Sequence, residues 1–176
     1  TEELAKELNK VNYRHLNTSS DSEVILNVFA HELQKAGSFN PSPEQIFTAV
    51  EKTHLRLKGA YSVLFMISGV GLVAIRDPKG IRPLILGKKD NDLIGSDYMI
   101  ASESPALSAL EFEIEGDLKP GEAVFITPEG ELHRKVCHNK PSNNPCIFEY
   151  VYLARPDAVL DGISVMRSRL RMGQKL

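Results

Sequence analysis

The chain has 176 residues, of which 42% are apolar, 25% charged and 7% aromatic; these are proportions of an ordinary globular domain and exclude disorder, collagen and low-complexity tracts. Its net charge of −2, from 21 basic and 23 acidic residues, supplies no electrostatic basis for binding nucleic acid or an anionic membrane. No apolar run approaches the roughly 20 residues of a membrane helix. The charged start Thr1-Glu2-Glu3 does not read as a signal peptide, and two cysteines make no disulfide framework, so a reducing, cytoplasmic compartment is expected.

The first third reads as helical. Glu2–Asn9 is a short helix, and Ser20 with Glu23 has capping-box spacing at the start of a second. Val24, Ile25, Val28, Phe29 and Leu33 then form one apolar stripe, closed by Gly37. Ser42, Pro43 and Gln45 open a third helix with Ile46, Phe47, Val50, His54 and Leu57 on its buried face and Gly59 as its stop. From Ala60 the pattern turns to strands. Tyr61–Ile67 and Val70–Ile75 flank Ser68-Gly69 as a hairpin and are apolar enough to be buried on both faces. Further strands are expected at 84–87, 98–102, 122–126, 131–136 and 147–153, with a short helix at 104–110 and a polar connector at 138–145. Helices followed by hairpin-linked strands mean segregated α and β. The expected fold class is therefore α+β, with two sheets packed together and helices outside. The non-methionine start and the basic end from Ile163 to Leu176 read as cuts in a longer protein.

Several groups invite a chemical reading. His133, Cys137, His138 and Cys146 fit no standard zinc spacing; no metal site is expected. His15, His31 and His54 are scattered and read as packing or surface residues. Thr1 would suit a nucleophile whose own amine is the base, but it precedes a charged helix rather than ending a strand, and the expected catalytic set in this chain is empty. Asp21 stands in the first turn of a helix among Ser19, Ser20 and Ser22. A carboxylate there is favoured by the helix dipole alone, and from the residues alone that reading outweighs one in which it receives an ammonium group at a pocket rim.

Five segments carry more information: 17–23 (NTSSDSE), 76–84 (RDPKGIRPL), 101–104 (ASES), 118–122 (LKPGE) and 148–157 (FEYVYLARPD). In this order they resemble the amidophosphoribosyltransferase family of class II glutamine amidotransferases, across essentially the whole chain. The resemblance implies an N-terminal-nucleophile (Ntn) hydrolase-type four-layer αββα sandwich, incomplete at its N-terminal side. It implies residues 1–145 as the second part of the glutaminase domain and 146–176 as the connector and start of a phosphoribosyltransferase domain. The family's nucleophilic cysteine, carboxylate-binding arginine and Asn-Gly oxyanion pair would precede Thr1; no Asn-Gly dipeptide occurs here. Asp21 matches the residue that binds the glutamine α-amino group. Cys146 matches a position that ligates an iron–sulfur cluster in some members and is a plain cysteine in others. The implied partners are glutamine and phosphoribosyl pyrophosphate, with Mg2+ serving the transferase part, in a cytoplasmic homo-oligomer. Two other readings stand beside it: another class II amidotransferase, such as a glucosamine-phosphate synthase or asparagine synthetase, or a non-catalytic sandwich used for regulation or assembly.

Overall fold

A computed structural model describes residues 2–10, 14–37, 39–91 and 95–176. The chain divides into two compact units, one ending at Gly59 and one beginning at Ala60.

The first unit is three helices: α1 (Glu2–Lys10), α2 (Asp21–Lys35) and α3 (Pro43–Arg56). Helix α3 starts as its sequence indicates. The Ser42 side chain accepts from the Gln45 N–H, and the Gln45 side chain accepts from the Ser42 N–H. Helix α2 departs from the expected box. Ser20 caps the nearer Ser22 N–H, and Glu23 reaches past it to Asn17 and Thr18. Leu8, Val24 and Val28 form the local core with Leu4, Ala5, Leu16 and Leu57 against them. Buried Glu32 of α2 accepts from Arg56 at 2.7 Å and pairs with Lys35 at 3.1 Å, and Arg56 also reaches Glu7 at 3.0 Å. One acid thus joins two helices, and one arginine joins three.

The second unit holds two antiparallel sheets. The first has the order β1 (Ser62–Ile67), β2 (Gly71–Arg76), β6 (Glu122–Ile126), β7 (Leu132–Val136); the second has β4 (Gly95–Ala101), β3 (Ile85–Asn91), β5 (Glu113–Asp117). Strand periodicity of two builds the layers. Leu84 and Leu86 pack on Ala74 and Val124 of the first sheet and on Leu118, which lies between β5 and β6. Ile85, between them, faces the opposite way, onto Leu107 of α4 (Ser104–Ala109) and onto Tyr150, Ala154, Leu160 and Val165. This second layer closes the chain: a π-helical turn (Glu149–Leu153), the hairpin β8 (Val159–Leu160) and β9 (Ile163–Ser164), and α5 (Val165–Gly173).

Three expectations need correction. Residues 147–153 are not a strand: Glu149–Leu153 form a π-helical turn closed by Ala154 N–H to Glu149 O. The carbonyls of Tyr150 and Ala154 accept from Arg169 of α5, so an apolar run with strand propensity is overridden by its neighbours. The last helix starts at Val165 rather than Ile163, because Asp161-Gly162 first turns a hairpin and Ser164 then caps the helix at the Arg167 N–H. Strand β1 is not buried on both faces: Leu64 is 46% and Met66 85% exposed on the side where its neighbour β2 carries Leu72 and Ala74.

Candidate functional site

Asp21 is the first residue of α2 and is exposed, with exposed Ser19, Ser20 and Ser22 around it. Among the described residues no side chain hydrogen-bonds its carboxylate. The loop that presents it is held from behind by Glu23, whose carboxylate accepts from the N–H groups of Asn17 (2.8 Å) and Thr18 (2.7 Å) and from the Thr18 hydroxyl (2.6 Å). These bonds hold the Glu23 carboxyl below its ordinary pKa, the Asn17 backbone first among them. Ser20 N–H donates back to the Thr18 hydroxyl, and Ser20 caps Ser22. The result is a solvent-facing anion on an ordered loop at a helix start, able to accept from a cationic amine by a charge-assisted bond.

The other candidates disperse. Thr1 lies outside the described residues. His54 is buried on α3; His31 is half-buried, and burial first and Lys35 second lower its pKa. His133 stacks on Phe125 with ring centroids 5.8 Å apart, and His138 Nδ1 accepts from the Lys140 N–H. Buried Cys137 donates to the Lys135 carbonyl, whereas Cys146 is half-buried. Among the described residues no group of three or more His, Cys, Asp or Glu could hold a metal ion.

The remaining four signature segments meet at one place in the second unit. Arg76, at the end of β2, is 1% exposed. Its Nε donates to Arg82 O, one terminal nitrogen to Leu118 O and Asp161 Oδ1, and the other to Gly80 O and Asp161 Oδ2. All five guanidinium donors are used. Burial opposes the Arg76 charge, but the hydrogen bonds and charge of Asp161 outweigh it, and its pKa lies above the ordinary arginine value. Asp77 is fully buried and accepts from the N–H groups of Lys79, Ile81 and Arg82. Arg82 lies 2.8 Å from the buried Glu149 carboxylate. Glu103 accepts from Arg155 N–H and Ser104 from Val159 N–H. Asp117 Oδ1 is buried without a hydrogen-bond partner; burial first, and the Asp161 charge, push the Asp117 pKa up. Of this cluster, Asp117, Glu149 and Asp161 were not singled out by residue type or spacing. The Asp161-Gly162 dipeptide was the available signal for the turn that carries Asp161.

Residues 1–109 match the glutamine amidotransferase domain family; the chain belongs to that family, and its α+β fold is of the Ntn-hydrolase type. Its relatives are more particular. It is 54% identical over 175 residues to the amidophosphoribosyltransferase of Pseudomonas aeruginosa, covering 99% of this chain and 35% of that protein. The amidophosphoribosyltransferase of Escherichia coli is 50% identical over 174 residues, covering 99% of this chain and 34% of that protein. The solved glutamine phosphoribosylpyrophosphate amidotransferase of B. subtilis, complexed with ADP and GMP, superposes with a TM-score of 0.74 at 29% identity, over 93% of this chain and 32% of that one. The chain therefore spans about a third of the length of the relatives it matches.

Proposed function

We propose that this chain is the part of an amidophosphoribosyltransferase that presents Asp21 to the α-ammonium of glutamine and then leads through residues 146–176 toward the phosphoribosyltransferase part. The observation that carries this reading is the similarity to amidophosphoribosyltransferases along 99% of the chain. The whole reaction would convert glutamine, water and phosphoribosyl pyrophosphate to glutamate, phosphoribosylamine and pyrophosphate. The amide C–N bond breaks, ammonia is released, and its nitrogen displaces pyrophosphate at the sugar carbon. By the resemblance, a cysteine outside this chain attacks the amide, and Mg2+ supports the transferase step.

This chain's contribution is recognition. The Asp21 carboxylate faces solvent at a helix start held by Glu23 and Ser20, and would orient glutamine by its charged amine. The complete enzyme would act as a cytoplasmic homo-oligomer, and among the described residues no helix is long and apolar enough to cross a membrane.

Steady-state kinetics of Asp21→Asn in the full-length enzyme test the reading. Glutamine-dependent kcat/KM should fall about ten- to a hundredfold, the worth of a charged hydrogen bond. Ammonia-dependent synthesis should stay near wild type, because free ammonia bypasses the pocket. Equal loss in both assays, or none in either, overturns the role of Asp21. Absence of any glutamine-dependent synthesis in the wild-type enzyme overturns the functional reading itself.

A further inference from the structure

A dense polar construction in the second unit surrounds Arg76. It is too closed to be a binding pocket: the space lined by Arg76, Glu149, Tyr150 and Asp161 holds about 10 Å³, one water at most. Its bonds have a pattern. The Arg76–Pro83 turn is stiffened from within by Asp77, which takes three of its N–H groups. The chain from 142 onward is laid along that turn by main-chain bonds, Ser142 N–H to Pro78 O, Asn144 N–H to Lys79 O and Cys146 N–H to Ile81 O. Two ion pairs then fasten residues 149–161: Arg82 takes Glu149 at the start of the π-helical turn, and Arg76 takes Asp161 at the tip of the β8–β9 hairpin. Tyr150 closes the same segment on itself by donating its hydroxyl to Leu160 O.

We propose that the Arg76–Pro83 turn is a joint that fixes residues 146–164 to the two sheets. Arg76 and Arg82 are its positioning residues and keep glutamine hydrolysis coupled to ammonia use. The coupling half rests on the amidophosphoribosyltransferase reading above. Ammonia formed at one site and consumed at another escapes unless the two parts keep one relative position. In this chain, the segment leading out of the sheets is held through two largely covered carboxylates by two arginines of a single stiff turn. Removing one charge while keeping the side chain's shape loosens the segment.

The experiment uses the full-length enzyme with Asp161→Asn and, separately, Glu149→Gln. Glutamate and pyrophosphate are counted in the glutamine reaction, ammonia-dependent synthesis is assayed alongside, and amide hydrogen exchange is followed over 147–164 and, as a control away from Arg76, over 62–67. In Asp161→Asn, exchange over 147–164 should speed at least about tenfold while 62–67 is unchanged. Glutamate formed per pyrophosphate should rise from about one to about three, with ammonia-dependent synthesis within about twofold of wild type. Glu149→Gln should move both readouts the same way by less, because its partner Arg82 is 44% exposed and keeps water as an alternative; it decides the matter if Asp161→Asn does not fold. Unchanged exchange over 147–164 overturns the joint. Faster exchange with a ratio still near one, or all activities falling together, overturns the coupling role. A wild-type enzyme that makes no pyrophosphate from glutamine and phosphoribosyl pyrophosphate overturns the functional reading and with it the coupling, and exchange still decides the joint.

Discussion

Arg76 and Asp77 are adjacent, both fully buried or nearly so, yet each takes its hydrogen bonds from other groups. Arg76 directs its donors to Asp161 and three carbonyls, and Asp77 directs its oxygens to three N–H groups. A buried ion pair contributes little net stability over an apolar pair, but breaking one side leaves an uncompensated charge. Asp161→Ala should therefore destabilise the protein by about 3–5 kcal/mol in urea unfolding, far more than Asp157→Ala, whose partner Arg155 is exposed. Asp117 sits on the other side of the balance. Its pKa is raised above 3.8, chiefly by burial, so its proton favours the folded state. That contribution is present in acid and is lost as pH rises through the raised value. Asp117→Asn should raise Tm at about pH 7 and have little effect near pH 3. Glu32 has the opposite sign. Burial resists its charge, but Lys35 and Arg56 hold its pKa below 4.5, and the stabilisation present above that value is lost as pH falls through the lowered one.

At the scale of elements, two glycines decide how closely the turns of the joint approach. Gly80 has φ 59°, and a Cβ there would lie 2.8 Å from Pro120 Cγ; Gly121 has φ 71°, and a Cβ there would lie 2.9 Å from His138 Cβ. Both positions combine left-handed backbone with crowding, so neither tolerates a side chain. Gly121→Ala should lower stability by about 2 kcal/mol or more, while Gly173→Ala, in α5 with open space around it, should be neutral or slightly stabilising. Denaturant melts of the two variants make the comparison. The β1 strand presents the other element-level consequence. It is an edge of its sheet, and its Met66 side chain is 85% exposed beside a partly covered Leu64. An edge with an apolar face templates association.

At the scale of the molecule, that edge predicts behaviour in solution. Residues 1–176 expressed alone should self-associate at micromolar concentration, and Met66→Lys should shift light-scattering mass toward the monomer. A sharp monomer peak for the unsubstituted chain would count against the exposed face as an adhesive surface. The same chain should release no glutamate from glutamine above the buffer blank, because by the resemblance the nucleophile and oxyanion donors lie outside it. Activity abolished by Thr1→Ala would instead establish Thr1 as a nucleophile.

Much of this was legible in the chain because local rules agree with the fold. Ser42, Pro43 and Gln45 determined the start of α3 by satisfying its free amides, and the Ser68-Gly69 hairpin needed only two apolar runs around a turn pair. Asp21 stands in a signature segment of the sequence, and the fold leaves it exposed at the start of α2. Tertiary structure alone decided three things. It turned 149–153 into a π-helical turn, because Arg169 of α5 supplies donors that a strand's carbonyls would have sought from a neighbouring strand. It sent Glu23 to Asn17 and Thr18 instead of closing a capping box, because the incoming loop offers four donors within reach. And it joined Arg76 to Asp161 across 85 positions, a pairing no periodicity records. A buried guanidinium needs a carboxylate wherever in the chain one can be brought, and only the folded path of the backbone determines which acid that is.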